Sequence, residues 1–374
     1  MTPEHLKPLL AYIEFCYPKS FEEIKKRNLI SPNLFSPFVL DLPDSLKSQV
    51  DDFVGQIYEI KESSDYQEQL AELEPFQDWP QTPSVLTCFD FHYSEEMGLK
   101  LIEINTNASL YLPMILQRCA QADVCDPPQF EKLYESFKQA FKLKASDPIS
   151  IFDEKPEQEG LYFEFLIFKE WFESLGHPSN IVSLENFEKN SHVNVYNRFT
   201  DFYFEEEKSA GLLEHYQKQS RLFSPNPREY FLMADKRRLR YLRQELEKRS
   251  SELASIIPET KLFSEFEGAD DVWSQRKKYF FKPSHSFGSK GAFSGKGISR
   301  KAFDKLFSPD FIAQELCPAG RREFDYKDEV FEMKFDLRFF TFDGQVQNYG
   351  ARLYQGQTTN MKTPMGGITP IQYI

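Results

Sequence analysis

The spacing of apolar positions along this chain changes period several times, and each change marks a new structural unit. Over residues 1 to about 85, helical spacing alternates with proline-punctuated loops such as SPNLFSPFVLDLPDSL, predicting helices over Phe21–Arg27 and Leu46–Glu62. Two short runs of strand character follow, CFDF (Cys88–Phe91) and LKLIEIN (Leu99–Asn105), joined by a turn through Ser94 to Gly98. Helical spacing returns over Pro113–Asp123 and Gln129–Lys144, where Phe130, Leu133, Phe137, Ala140 and Phe141 make one stripe. Next, ISIFDEKP (Ile149–Pro156), an apolar helix ending at Gly176 (Glu159–Gly176), NIVSL (Asn180–Leu184) and VNVYNRF (Val193–Phe199) alternate strand and helix, the pattern of a small parallel sheet.

The last third starts with the proline-bounded SPNPREYFLMADKRRLRYL and a helix predicted over Asp235–Lys248. Strand KKYFFKP (Lys277–Pro283), the glycine-rich run His285–Gly297, helix Arg300–Leu306 and strand DFIAQEL (Asp310–Leu316) come next. A meander closes the chain, turning at Phe342-Asp343-Gly344-Gln345. The expected class is α/β (α+β) in three parts: residues 1–146 with the N-terminal helices and first hairpin, a Rossmann-like unit at 147–230, and 231–374 with the glycine-rich run.

With 28% charged and 40% hydrophobic residues, the composition is that of a soluble globular protein, and 37 phenylalanines suit wide sheet–helix cores. A formal charge of -13 argues against a nucleic-acid partner, because phosphate neutralisation needs clustered Lys and Arg. It leaves room for a small polyphosphate, whose charge a cation and a few lysines offset locally. The five scattered cysteines include no C-x-x-C pair and read as free thiols in a reducing compartment. No secretory signal opens the chain and no run approaches the roughly 18 apolar residues of a membrane span, so a cytoplasmic protein without membrane partner is expected.

Several residues then stand out chemically. Glu103 and Asn105 sit at i and i+2, on one face of a strand, and Asp90 can add a third oxygen from its neighbour. Such a hard-oxygen set suits magnesium that also binds phosphates, although an isolated E-x-N is equally a polar strand face. In the glycine-rich run, Ser286, Gly288, Ser289, Lys290 and Gly291 can wrap phosphate oxygens, with Lys282 just upstream as counter-charge. The run is neither a Walker A loop nor a dinucleotide fingerprint. Lys236 opens the predicted helix, whose Arg237, Arg238 and Arg240 read as a solvated basic face. The strand edge Gln314, Glu315 and Leu316 can pair an adenine, with Glu315 accepting the exocyclic amine. Lys334, Asp336 and Arg338 share one face of a strand, which is costly to bury unless they bind each other or a ligand. Arg352, Gln357 and Asn360 follow, while Asn197 and Arg198 lie where ligands sit beyond parallel strands.

The FDF and LIEINTNAS motifs, together with KPSHSFGSKGAFSGKG, resemble the circularly permuted ATP-grasp family, in particular eukaryotic-type glutathione synthetases and the synthetase domain of glutathionylspermidine synthetases. The resemblance implies an ATP-grasp fold with a small substrate domain and a glycine-rich lid, and ATP and Mg2+ as cofactors. It implies Asp90, Glu103 and Asn105 as metal ligands, and Lys236, Lys282, residues 286–291 and Gln314–Leu316 as nucleotide contacts. Arg338 and Arg352 would stabilise the transferred phosphate or the acceptor carboxylate. Asn197, Arg198, Gln357 and Asn360 are the candidate substrate contacts. The chain departs from the family pattern at Ser284-His285-Ser286, where an additional acid is usual, and at Gln357, where a glutamate is usual. The expected reaction is ATP-dependent carboxylate–amine ligation through an acylphosphate, on small-molecule acid and amine substrates, with a homo-oligomer left open. A kinase using the same cleft and a nucleotide-binding protein without catalysis are the alternatives.

Overall fold

The computed structural model describes residues 3–73, 79–122, 128–284, 291–306 and 310–374. Helices Lys7–Cys16, Pro18–Arg27, Asp44–Glu62 and Ser64–Ala71 form the N-terminal region, around strand β1 (Leu40–Leu42). The hairpin β2 (Thr87–Ser94) and β3 (Gly98–Asn105) follows, then helices Tyr111–Ala122 and Pro128–Phe141. Strands β4 (Ile149–Asp153), β5 (Ser179–Ser183), β6 (Asn194–Asn197) and β7 (Leu222–Ser224) alternate with helices Tyr162–Ser174 and Ala210–Gln217. After helix Arg238–Arg249 come β8 (Thr260–Leu262), β9 (Tyr279–Pro283), β10 (Phe293–Ser294) and β11 (Phe311–Glu315). The chain ends with β12 (Gly320–Tyr326), β13 (Glu329–Phe342), β14 (Gln345–Tyr354), β15 (Gly367–Thr369) and β16 (Ile371–Tyr373).

The strands assemble into a mixed α/β architecture of several sheets. β5-β4-β6-β7 is parallel throughout, as the strand–helix alternation predicts. β10-β9-β11-β8 is a small antiparallel sheet, and β1 pairs with β16. In the largest sheet, β15-β14-β13-β2-β3 with β12 also on β13, the early hairpin lies directly against the late meander.

Alternation along these strands separates a core face from a cleft face. Phe89, Phe91, Leu101, Leu337, Phe339 and Leu353 point to one side and are buried under helix Asp44–Glu62. From that helix Phe53 meets Phe89 and Phe91 edge-on, with ring centroids 6.3 and 5.8 Å away. Burying each such ring is worth roughly 1.5–3 kcal/mol, so this face holds helix and sheet together. The opposite face carries Asp90, Glu103, Asn105, Asp336 and Arg338. Among the described residues, no helix is long and apolar enough to cross a membrane.

Two expectations about residues 235–240 change. Lys236 lies in a turn before helix Arg238–Arg249, not on the helix. Asp235, wholly buried, accepts from the Arg237 backbone and side chain and from the Tyr203 hydroxyl at 2.7 Å, which holds the turn in place. Arg238 is buried, not solvated: its Nε donates to Phe231 O at 3.0 Å and its guanidinium lies 4.2 Å from the Phe231 ring centroid.

Candidate functional site

A cleft of about 860 Å³ runs between the large sheet, the β8–β11 sheet and the parallel sheet. Its walls include Asp90, Glu103, Asn105, Arg198, Lys236, Lys282, Gln314, Glu315, Leu316, Arg338, Arg352, Gln357 and Asn360. Residues from the first and last thirds of the chain therefore share one cavity. The pairing of β2 with both β3 and β13 achieves this, because it sets Asp90 directly opposite Glu103 on one side and Arg338 on the other.

Asp90 is the electrostatic hub. Arg338 donates to it twice, Nε to Oδ1 and Nη2 to Oδ2, both at 2.9 Å, and Arg352 Nη2 adds a contact to Oδ2 at 3.4 Å. Arg352 in turn grips Asp336 through Nε at 2.7 Å and Nη2 at 3.0 Å, and Thr359 donates to the same carboxylate. Asp336 and Arg338 on the cleft face of β13 thus pair with charges on the neighbouring strands, Arg352 of β14 and Asp90 of β2. Burial opposes the charge on Asp90, but the two arginines outweigh it and hold the carboxyl below its usual range. Asn105 Nδ2 donates to Asp90 Oδ2 at 3.1 Å and to Glu103 Oε1 at 3.2 Å.

Lys282 meets this hub from the other sheet. β3 carries one extra residue at Ile102, since Asp90 opposes Glu103 while Phe91 opposes Leu101. The Ile102 carbonyl accepts from Lys282 Nζ at 2.8 Å, a way in which a bulge can serve a site. A second proton of the ammonium goes to Gln314 Oε1 at 2.7 Å. Burial, opposed by Glu103 and reinforced by Lys236, brings Lys282 down to about 8. Arg198 donates to the Ala108 carbonyl at 2.7 Å and to Ser109, which ties the parallel sheet to the loop after β3. Beside it, burial and then Glu159 raise Asp153 to about 7.

Other predicted positions have different surroundings. Asn197 is absent from the cleft wall: its Nδ2 donates to Pro225 O at 3.2 Å and its Oδ1 accepts from Phe199 N at 3.1 Å, so it shapes the end of β6 and not a substrate pocket. Asn360 lines the cleft while bonding Gln355 O and Lys362 N, which organises its own loop. Gln357 is exposed at the rim. Ser286, Gly288, Ser289 and Lys290 lie outside the described residues. Gly291 is described, with φ +73°. Gly295 serves packing: a Cβ there would come within 1.9 Å of Arg276 O. Cys88 and Cys317 are free thiols, both buried.

No family model matches the chain, and no curated protein matches it. Among solved structures, it is similar to a glutathione synthetase-like effector from Globodera pallida in its apo form, at 13% identity and a TM-score of 0.53, covering 91% of this chain and 90% of that one. The chain shares a fold with that synthetase-like protein. A structure from Methylobacillus flagellatus KT that carries the name gamma-glutamylcysteine synthetase aligns over 88% of both chains at 10% identity and a TM-score of 0.48.

The donor set bears on magnesium unequally. Asp90 has both oxygens engaged by arginine, so direct metal ligation does not suit it. Glu103 keeps Oε2 without a hydrogen bond among the described residues, and Asn105 would offer Oδ1 once its amide turns over. One carboxylate and one amide oxygen fit a cation whose other ligands are waters and phosphates, the usual magnesium arrangement. No group of three or more His, Cys, Asp or Glu suited to a metal occurs among the described residues.

Reading the sequence missed His92, Thr106, Asn107 and Tyr230, all on the cleft wall. His92 Nδ1–H donates to Cys317 O at 2.8 Å, bridging the large sheet to the end of β11. Thr106 and Asn107 directly follow the E-x-N motif, which was signal enough to find them. Nothing in the local sequence marks Tyr230.

Proposed function

We propose that the cleft binds Mg–ATP and that the protein is an ATP-grasp ligase joining a small carboxylate to a small amine. The observation that carries this reading is the meeting of Glu103 and Asn105 with Lys236 and Lys282 in one cavity, at the upper end of the roughly 300–1,000 Å³ usual for small-molecule sites. Synthetase-like character in the Globodera pallida protein supports it.

In this reading Lys236 and Lys282 hold the phosphates, and the exposed edge of Glu315 and Leu316 takes the base. Magnesium, held by Glu103 and the Asn105 Oδ1, would neutralise phosphate charge. Arg352 Nη1, which makes no hydrogen bond among the described residues, orients the acceptor carboxylate. Arg338 positions Asp90 and, through Nη1, the Ser109 carbonyl at 3.0 Å. The carboxylate attacks the terminal phosphorus, releasing ADP and forming an acylphosphate. The amine then attacks the acyl carbon, expelling inorganic phosphate and giving up its proton. Asp153 and Glu159 make the far end of the cleft acidic, which suits an amine. The glycine-rich run would close as a lid and keep water from the acylphosphate. Catalysis of this kind is positioning and charge stabilisation and needs no side-chain nucleophile.

The test uses Glu103→Gln. The variant is expected to keep its nucleotide-free melting temperature and to lose the Mg-dependent part of the ATP-induced shift; an unchanged shift would overturn the metal assignment. Phosphate release should require both an acid and an amine. A second reading, nucleotide binding without ligation, draws on the commitment of Asp90 to arginine and on Ser284 in place of the additional acid. Mg–ATP binding with no phosphate release against broad acid and amine pools would favour it.

A further inference from the structure

Gln314 is 2% exposed on the cleft wall, and its Nε2 has no hydrogen-bond partner among the described residues. A buried amide N–H left unpaired is destabilising, so an acceptor supplied by a ligand would relieve a real penalty. Its orientation is not free to reverse. An ammonium only donates, so Lys282 Nζ at 2.7 Å identifies the near amide atom as Oε1 and sends Nε2 the other way. Register puts both residues on one face: Lys282 opposes Ile312 and Gln314 opposes Phe280 on the neighbouring strands β9 and β11. Half-buried Ile102, Phe280 and Leu316 flank them with flat apolar surface suited to an aromatic base.

A glutamine reads adenine by offering both halves of its amide, accepting from N6 and donating to N7. Here the accepting half is already engaged by Lys282, and the half left without a partner is a donor. Guanine and hypoxanthine present acceptors at O6 and N7 side by side, whereas adenine places a donor amino group next to N7. Resting on the nucleotide reading above, we propose that Gln314 is a base-reading residue and that the cleft takes 6-oxopurine nucleoside triphosphates at least as well as ATP. Lys282 sets this preference by fixing the amide, and so links the base end of the site to the phosphate end.

The experiment compares Mg-dependent binding of ATP and ITP by calorimetry to the full chain and to Gln314→Leu and Gln314→Glu, with melting curves to confirm folding. Gln314→Glu keeps the shape and the Lys282 contact but replaces the donor with an acceptor. Wild type is expected to bind ITP at least as tightly as ATP, and the ITP:ATP affinity ratio should fall tenfold or more in each folded variant. Tighter binding of ATP than ITP by wild type, or a ratio that falls less than tenfold in the folded variants, overturns the proposal while leaving the nucleotide site standing. Binding of neither triphosphate to wild type overturns the nucleotide reading itself, and this inference with it.

Discussion

Replacing Asp90 with asparagine tests whether its carboxylate holds the sheet together. The side chain is 2% exposed and Arg338 7%, with two hydrogen bonds of 2.9 Å between them. Two unit charges about 4 Å apart attract by about 4 kcal/mol at an effective dielectric of 20. Removing one member also strands the other: Arg338 stays buried, and Arg352 loses a neighbour while the asparagine NH2 faces guanidinium donors. Breaking such a pair costs about 3–5 kcal/mol, which is the loss expected for Asp90→Asn at pH 7. Urea unfolding without nucleotide, followed by tryptophan fluorescence, measures it. The pH dependence gives a second, independent readout. Because the arginines hold the Asp90 carboxyl below its ordinary value, the unfolded chain binds the proton more tightly. Stability from the pair is therefore present above the ordinary carboxyl range and lost as pH falls through the folded value. The wild-type and Asp90→Asn curves should converge in acid. A loss under about 1 kcal/mol at pH 7, or curves that stay parallel into acid, would show that the pair does not form as described.

Two further outcomes concern the cleft's other titrating groups. Lys282, near 8, should bind phosphate as the ammonium, so nucleotide affinity should be flat below about pH 8 and fall about tenfold per unit above it; titrating Mg–ATP binding between pH 6.5 and 9.5 checks this, and no change across that window would refute it. Asp153 is raised from 3.8 to about 7, so the folded chain holds that proton longer and wild-type stability is lost between those values as pH rises. Asp153→Asn removes that loss and should gain on wild type between pH 4 and 7, up to about 4 kcal/mol; parallel pH–stability profiles would contradict it.

Local pattern carried much of the fold. Apolar alternation and turn residues located the β2–β3 and β13–β14 hairpins, and the strand–helix period located the parallel sheet. The E-x-N spacing identified Glu103 and Asn105 as sharing a face, which strand geometry guarantees. What local pattern could not supply was the partner of each charge. Asp90 looked like a metal ligand because its claimant, Arg338, lies 248 residues away and reaches it only through sheet pairing. Arg238 looked solvated in a basic run because the Phe231 ring that covers it is brought near by a tight turn. Asn197 sits where ligands usually bind, but its amide closes a backbone turn, a competition visible only once Pro225 is in place. Gln314 was legible as a position and illegible as a donor, since its orientation depends on a lysine of the adjoining strand.

The placement of β2 beside β13 also governs the order in which the molecule can be completed. A nascent chain that has emerged only to about residue 320 carries the Thr87–Ser94 strand with one rim of peptide groups unmatched, and its aspartate without counter-ions. Synthesis must pass β13 and β14 before those groups find partners, and Ile371–Tyr373 then fastens onto Leu40–Leu42. Assembly of the cleft thus waits on β13 and β14, and a chain released before them carries an open, adhesive border in place of a binding site.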